Sequence, residues 1–142
     1  MRKVKTKIFD NWDGSTILYY YWCDDELRID KFGQIWRHPY IYKDKKVDKS
    51  CWSLVSFNPT QDGYYNFTWH GRVMYNHKVI AEAFCYKCGY DPDGTIWDKD
   101  EKIEVDHIDR NRQNNTPSNL RWVSGDWNRK HKGKYKKTKL ID

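Results

Sequence analysis

Val105-Asp-His-Ile-Asp-Arg-Asn-Arg-Gln-Asn-Asn-Thr-Pro-Ser-Asn-Leu-Arg-Trp-Val-Ser124, continued by Asp126-Trp-Asn-Arg-Lys-His131, is the stretch that decides the fold. Ile103 to Ile108 reads as a short strand. Asp109 to Asn115 is a polar loop rich in Asn and Arg. Thr116-Pro117 starts a short helical turn, because proline's fixed φ suits the first helical position. Leu120 to Val123 is a second strand. Ser124 is a candidate helix N-cap, with Asp126 in the first turn near the positive end of the dipole. The helix should run to about Lys132 and stop at Gly133. This third of the chain therefore reads strand, loop, strand, helix.

Working outward, the segment before it predicts another helix. Asn76 is a plausible N-cap and Gly89 a plausible C-terminal stop. Ile80, Ala83 and Phe84 fall at helical spacing and should face a core. Tyr90 to Thr95 is a loop by composition. The first half reads as short strands: Thr16–Trp22, Leu27–Phe32, Ile35–Trp36, Cys51–Phe57, Tyr64–Trp69 and Arg72–Tyr75. Asp62-Gly63 and His70-Gly71 are turn signals. The expected fold class is α+β: an N-terminal antiparallel β-sheet, a packing helix, and the strand–strand–helix unit. No internal repeat and no clear linker is visible.

The 142 residues fit one domain of ordinary size, with two small lobes as an alternative. There are 26 Lys and Arg against 20 Asp and Glu, so the net charge of +6 favours a polyanionic partner. Aromatic residues make up 17%, which suits a β-rich core. No apolar run of membrane-spanning length occurs; Ile17 to Trp22 is far too short. Met1 to Asp10 is basic and then polar, without the apolar stretch of a signal peptide, so a cytoplasmic protein is expected. In a reducing compartment Cys23, Cys51, Cys85 and Cys88 are thiols or metal ligands before they are disulfides.

The residues from Asp106 to Val123, with the helix carrying Asn128, resemble the HNH (His-Me finger) endonucleases, in particular the homing enzymes of phages and mobile introns. The shared pattern is Asp-His-Ile-Asp, a loop ending in Asn-Asn, then Asn-Leu-Arg-Trp-Val and a short helix bearing Asn or His. His77 to Phe84 is similar to the segment preceding the motif, so the resemblance covers about residues 64 to 131. It implies a C-terminal ββα-metal unit and hydrolysis of double-stranded DNA phosphodiesters. His107 would be the general base, as an imidazole titrates near working pH. Asp106 and Asn128 would bind one divalent cation, with His131 as a further candidate. Asn119, the middle Asn, would tie down the loop and orient the base. Oxygen ligands suit Mg²⁺ or Mn²⁺. Asp106 and His107 point to opposite faces of a regular strand, so a bend there would let both serve one site.

The expected organisation is residues 1–75 as a β-rich region that can contact DNA, 76–133 as the nuclease region with its preceding helix, and 134–142 as a basic tail. Arg110 and Arg112 in the loop, Arg129, Lys130, Lys132 and Lys134 near the C-terminus, and Arg72 on the strand half are the candidate DNA contacts. Plain solvation is the alternative for each. His77 is expected to cap or pack its helix. Cys85-Tyr-Lys-Cys88 is half a zinc pattern, but no second pair follows at suitable spacing. Two buried or idle thiols on consecutive helical turns is the preferred reading, with a structural Zn²⁺ as the lesser one. Many HNH enzymes carry His where Asn128 stands. That departure supports the rival reading, a weak or inactive DNA-binding module on the same scaffold.

Overall fold

The computed structural model describes residues 5–9, 16–21, 23–30, 32–39, 46, 48–69 and 71–132. The chain divides into two compact units, Met1–Phe57 and Asn58–Asp142. It is a mixed α and β protein of small antiparallel sheets and few helices. Among the described residues no helix is long and apolar enough to cross a membrane.

The first unit holds a five-stranded antiparallel sheet of β1 (Lys5–Phe9), β2 (Thr16–Tyr21), β3 (Cys23–Asp30), β4 (Ile35–Arg37) and β5 (Ser53–Leu54), hydrogen-bonded in sequence order. Leu27, Ile29, Ile35 and Val55 are buried. Asp30 organises the β3–β4 turn. Its carboxylate accepts the Phe32 and Gln34 amides and the Trp36 indole N–H, while Gly33 supplies the positive φ the turn requires. Strand β1 was not anticipated, because its alternating lysines hide the pattern. Strand β3 begins at Cys23, ahead of the expected Leu27, since pairing with β2 extends through its acidic start. Of the expected strand 51–57 only Ser53–Leu54 pairs. Trp22 lies outside the described residues.

The second unit begins with the sheet β6 (Asn58–Pro59), β7 (Tyr65–Trp69) and β8 (Arg72–Tyr75). Chain direction changes from strand to helix between Tyr75 and Asn76, with no linker, and α1 (Asn76–Phe84) follows at once. The hairpin expected to belong to the strand half therefore sits within the second unit, and α1 packs on β7 and β8. The helix also departs from expectation at both ends. Its N-cap is Tyr75, with no side-chain cap, and Asn76 is its first residue. It closes at Cys85, whose N–H reaches the Ala81 carbonyl, and Gly89 lies beyond it in a loop at φ 96°. Val79, Ile80 and Ala81 are its buried apolar residues, whereas Ala83 and Phe84 are half-buried.

Two strands, β9 (Ile103–His107) and β10 (Leu120–Ser124), then pair antiparallel, with Asp106 opposite Arg121 and His107 opposite Leu120. A 3-10 turn over Pro117–Asn119 precedes β10, with Pro117 at its start as expected. Helix α2 (Gly125–Lys132) follows. Ser124 caps it: its Oγ accepts the Trp127 amide at 3.0 Å. The same hydroxyl donates to Asp91 at 2.7 Å, and Asp91 also accepts the Ser124 amide and the Trp97 indole N–H. This buried carboxylate fastens the loop after α1 to the junction of β10 and α2. Gly133 and residues 134–142 lie outside the described residues.

Candidate active site

The loop between β9 and β10 is held by its own short polar side chains, which explains its composition. Asp109 accepts the Asn111 amide at 2.7 Å and the Asn114 side-chain N–H at 2.8 Å. Asn111 accepts the Gln113 amide, and Asn114 accepts both the amide and the hydroxyl of Thr116. Asn119 closes the loop across its base. Its Oδ1 accepts the Asp109 amide, and its Nδ2 donates to Asp109 Oδ1 and the Asn114 carbonyl. Burial alone would push the Asp109 carboxyl up, but these hydrogen bonds prevail and hold it below the usual carboxylate value.

Asn119 thus ties down the loop, its side-chain hydrogen bonds going to Asp109 and Asn114 and not to the imidazole. Asn115 does. The His107 Nε2 lies 2.7 Å from Asn115 Oδ1, both groups being buried. An amide oxygen only accepts, so Nε2 carries the proton and Nδ1 keeps its lone pair. Burial lowers the His107 pKa, against the raising effect of the Asn115 bond and of Asp106, so the ring is neutral at neutral pH. His77 packs beside it, its ring centroid 5.2 Å from that of His107 and stacked at 4.9 Å on Tyr64. Burial, then the neighbouring His107, lowers His77 to about 3.

Asp106 and His107 border one cavity of about 30 Å³, together with Asn128, Arg110, Arg112 and Tyr64. Adjacent strand residues reach a common space here because both lie at the end of β9, where the loop turns away. Asp106 is buried, and its Oδ2 accepts from Arg121 Nε at 2.8 Å. Its Oδ1 stands 3.9 Å from Arg110, an ion-pair distance that leaves lone pairs unshared. Asn128 donates through Nδ2 to Glu104 Oε1 at 2.7 Å, so its amide oxygen is the group left for the cavity. Arg110 sits at φ 67° and donates to the His131 carbonyl, joining the loop to α2. Arg112 donates to the Asp62 carbonyl at 2.7 Å and lies over the Tyr64 ring.

The remaining expected residues sit apart from this cavity. His131 stacks on Trp127 at 3.8 Å with its Nδ1 2.8 Å from the Trp127 carbonyl, and it does not join Asp106 and Asn128. Arg129 and Lys130 are exposed and pair with Asp126. Arg72 is exposed on the β7–β8 hairpin. Nothing is described for the Lys132 side chain, and Lys134 falls outside the described residues.

The two cysteines of the CxxC are not on consecutive helical turns, because α1 ends before Cys85. Cys85 faces the carbonyls of Pro117 and Leu120, and burial pushes its thiol up to about 11. Cys88 is exposed. Among the described residues no group of three or more His, Cys, Asp or Glu is placed to hold a metal. Asp106 and Asn128 together supply two oxygen-bearing side chains.

Sequence reading did not single out Asn115, Arg121 or Glu104. Asn115 is the second residue of an Asn-Asn pair, and a signal for it existed there. Arg121 follows from register, being cross-strand from Asp106.

The site thus sits on a hairpin followed by a capped helix, with a buried Asp-His pair at the strand end. Residues 75–130 match the family model described as HNH endonuclease. A solved structure described as "DNA binding and cleavage by the HNH homing endonuclease I-HmuI" is similar at 22% identity and a TM-score of 0.49. The similarity covers 76% of this chain and 52% of that one, so this chain spans about half of that protein's length. No curated protein matches.

Proposed function

We propose that the chain is a metal-dependent DNA endonuclease that hydrolyses phosphodiester bonds at the cavity bordered by Asp106, His107 and Asn128. One observation carries this reading: an imidazole, held through Nε2 by Asn115, shares a small cavity with a carboxylate, an amide and two arginines.

His107 Nδ1 takes the proton from a water as it attacks the phosphorus. Arg110 and Arg112 supply positive charge for the phosphate oxygens. Asp106 Oδ1 and Asn128 Oδ1 are hard oxygen donors, a set that fits Mg²⁺ or Mn²⁺ better than Zn²⁺. The cation would neutralise charge developing on the phosphate and the leaving 3′ oxygen. Arg121 fixes the Asp106 carboxylate; Tyr64 and His77 wall the imidazole from one side. Cleavage leaves a 5′-phosphate and a 3′-hydroxyl. In this reading β9, β10 and α2 form the ββα-metal unit, and double-stranded DNA is the substrate. Arg129, Lys130, Lys132 and Lys134, with Arg72, serve as contacts to its backbone, and His131 carries no metal.

The test is conversion of supercoiled plasmid to nicked or linear form by purified protein with Mg²⁺ or Mn²⁺, beside His107→Ala and an EDTA control. Cleavage by the wild type alone supports the reading; equal cleavage by both proteins removes His107 from the mechanism. A second reading, a DNA-binding module without turnover, is favoured by the Arg121 pairing that occupies one Asp106 oxygen. It requires DNA retention in EDTA and no cutting when Mn²⁺ is added.

A further inference from the structure

We propose that Glu104 is the positioning residue that turns Asn128 into a cation ligand, a step that rests on the endonuclease reading above. Glu104 and Asp106 are two apart on β9 and so lie on the same strand face. Asn128 comes from α2, and its Nδ2 is 2.7 Å from Glu104 Oε1. That distance is at the short end for an amide N–H donated to an oxygen. A carboxylate has no proton to offer and repels an amide oxygen. The pairing therefore selects one of the two amide orientations, the one with Oδ1 turned away from Glu104. Without it, rotation about the side-chain amide would present NH₂ to the cavity in a share of the molecules, and NH₂ binds no cation.

The strand and the helix are brought together at this point by Gly125. Its N–H donates to the Lys102 carbonyl at 2.9 Å. A Cβ at position 125 would stand 3.2 Å from Glu104 Oε2 and 3.3 Å from Arg129 Nη1. The carboxylate is thus seated between the first turn of α2 and the Asn128 amide. Its negative charge also polarises that amide, making the oxygen a stronger donor to a cation, as outer partners of metal ligands commonly do. Asn in place of His at this helical position is then no loss, because the neighbour that orients an amide is present.

The experiment measures Mn²⁺ affinity directly, from the paramagnetic signal of free Mn²⁺, on wild type, Glu104→Gln, Asn128→Ala and the double variant. Glu104→Gln should weaken Mn²⁺ about 10- to 100-fold, and in the Asn128→Ala background it should change affinity less than about twofold. An equal loss in both backgrounds would mean that Glu104 acts on the ion itself, and would overturn the proposal, as would no loss in either. A swap provides the second arm, independent of how well Glu104→Gln folds alone. Asn128→Asp places two carboxylates face to face and should fail as a conservative exchange. Adding Glu104→Gln to Asn128→Asp restores a donor opposite an acceptor and should recover Mn²⁺ binding to within about threefold of wild type; no recovery overturns the assignment. A wild-type protein that binds no Mn²⁺ would sink the endonuclease reading and this proposal together, whereas normal binding with a failed swap sinks this one alone.

Discussion

His77 makes the stability of this protein depend on pH in a way that can be calculated. The ring is buried, stacked on Tyr64 and packed beside His107, and its Nδ1 has no hydrogen-bond partner among the described residues. Burial, and then repulsion from His107, Lys78 and Arg112, brings its pKa from 6.5 to about 3. The unfolded chain therefore binds a proton near pH 6.5 and the folded chain does not. The contribution is complete above pH 6.5 and is lost progressively as pH falls toward 3. Each pH unit in that window is worth about 1.4 kcal/mol, so lowering pH from 7.5 to 5.0 removes about 2 kcal/mol, and the ceiling near pH 3 is about 5 kcal/mol. The perturbation is His77→Phe, which keeps a ring on Tyr64 and removes the titration. Urea unfolding followed by tryptophan fluorescence at pH 7.5 and 5.0 gives the two differences. Wild type should lose about 2 kcal/mol more than the variant on acidification. Parallel losses, agreeing within about 0.5 kcal/mol, would show that His77 is hydrated or paired, and would refute the packing of the imidazole wall.

Three further outcomes are expected. Asn115→Ala leaves the buried His107 N–H unpaired, so it should cost about 1–3 kcal/mol of stability and lower cleavage about 10- to 100-fold through misorientation. Plasmid binding, measured by gel shift, should remain, which separates it from a folding defect. Asp91→Ala removes the acceptor of three hydrogen bonds at the start of α2 and should cost about 3 kcal/mol by urea unfolding. Burial would raise the Asp91 carboxyl, yet the Ser124 and Trp97 bonds bring it below its ordinary value; its contribution is present above about pH 4 and fades as pH falls through the lowered value. At pH 8, mass-mapped alkylation should label exposed Cys88 well before Cys85, whose thiol is held at about 11; equal labelling would contradict the closure of α1 over Cys85.

The strand–loop–strand–helix order was legible because each boundary carries its own local chemistry. Pro117 opens the 3-10 turn and Ser124 caps α2 through bonds made within three residues. The Asx-rich loop is likewise local: its side chains mostly satisfy amides two residues away. Strand β1 was not legible, since a five-residue segment with alternating lysines becomes a strand only when β2 pairs with it. The end of α1 was misread for a related reason. Gly89 signals a stop, but tertiary packing ends the helix at Phe84, where the Cys85 carbonyl takes the Trp122 indole N–H.

By itself the sequence determined which residue types stand together: Asp106 beside His107, Asn128 on the closing helix, arginines in the loop. These follow from spacing, and spacing along a hairpin and a helix is a local property. Only the tertiary structure decided how the groups are wired. It assigned the imidazole to Asn115 and not Asn119, paired Asp106 with Arg121 and Asn128 with Glu104, and turned His131 onto Trp127. Those choices depend on strand register, on the approach of α2 to β9 at Gly125, and on which polar atoms burial forces to find a partner. Contacts between residues far apart in sequence carry that information, and no short window of the chain contains it.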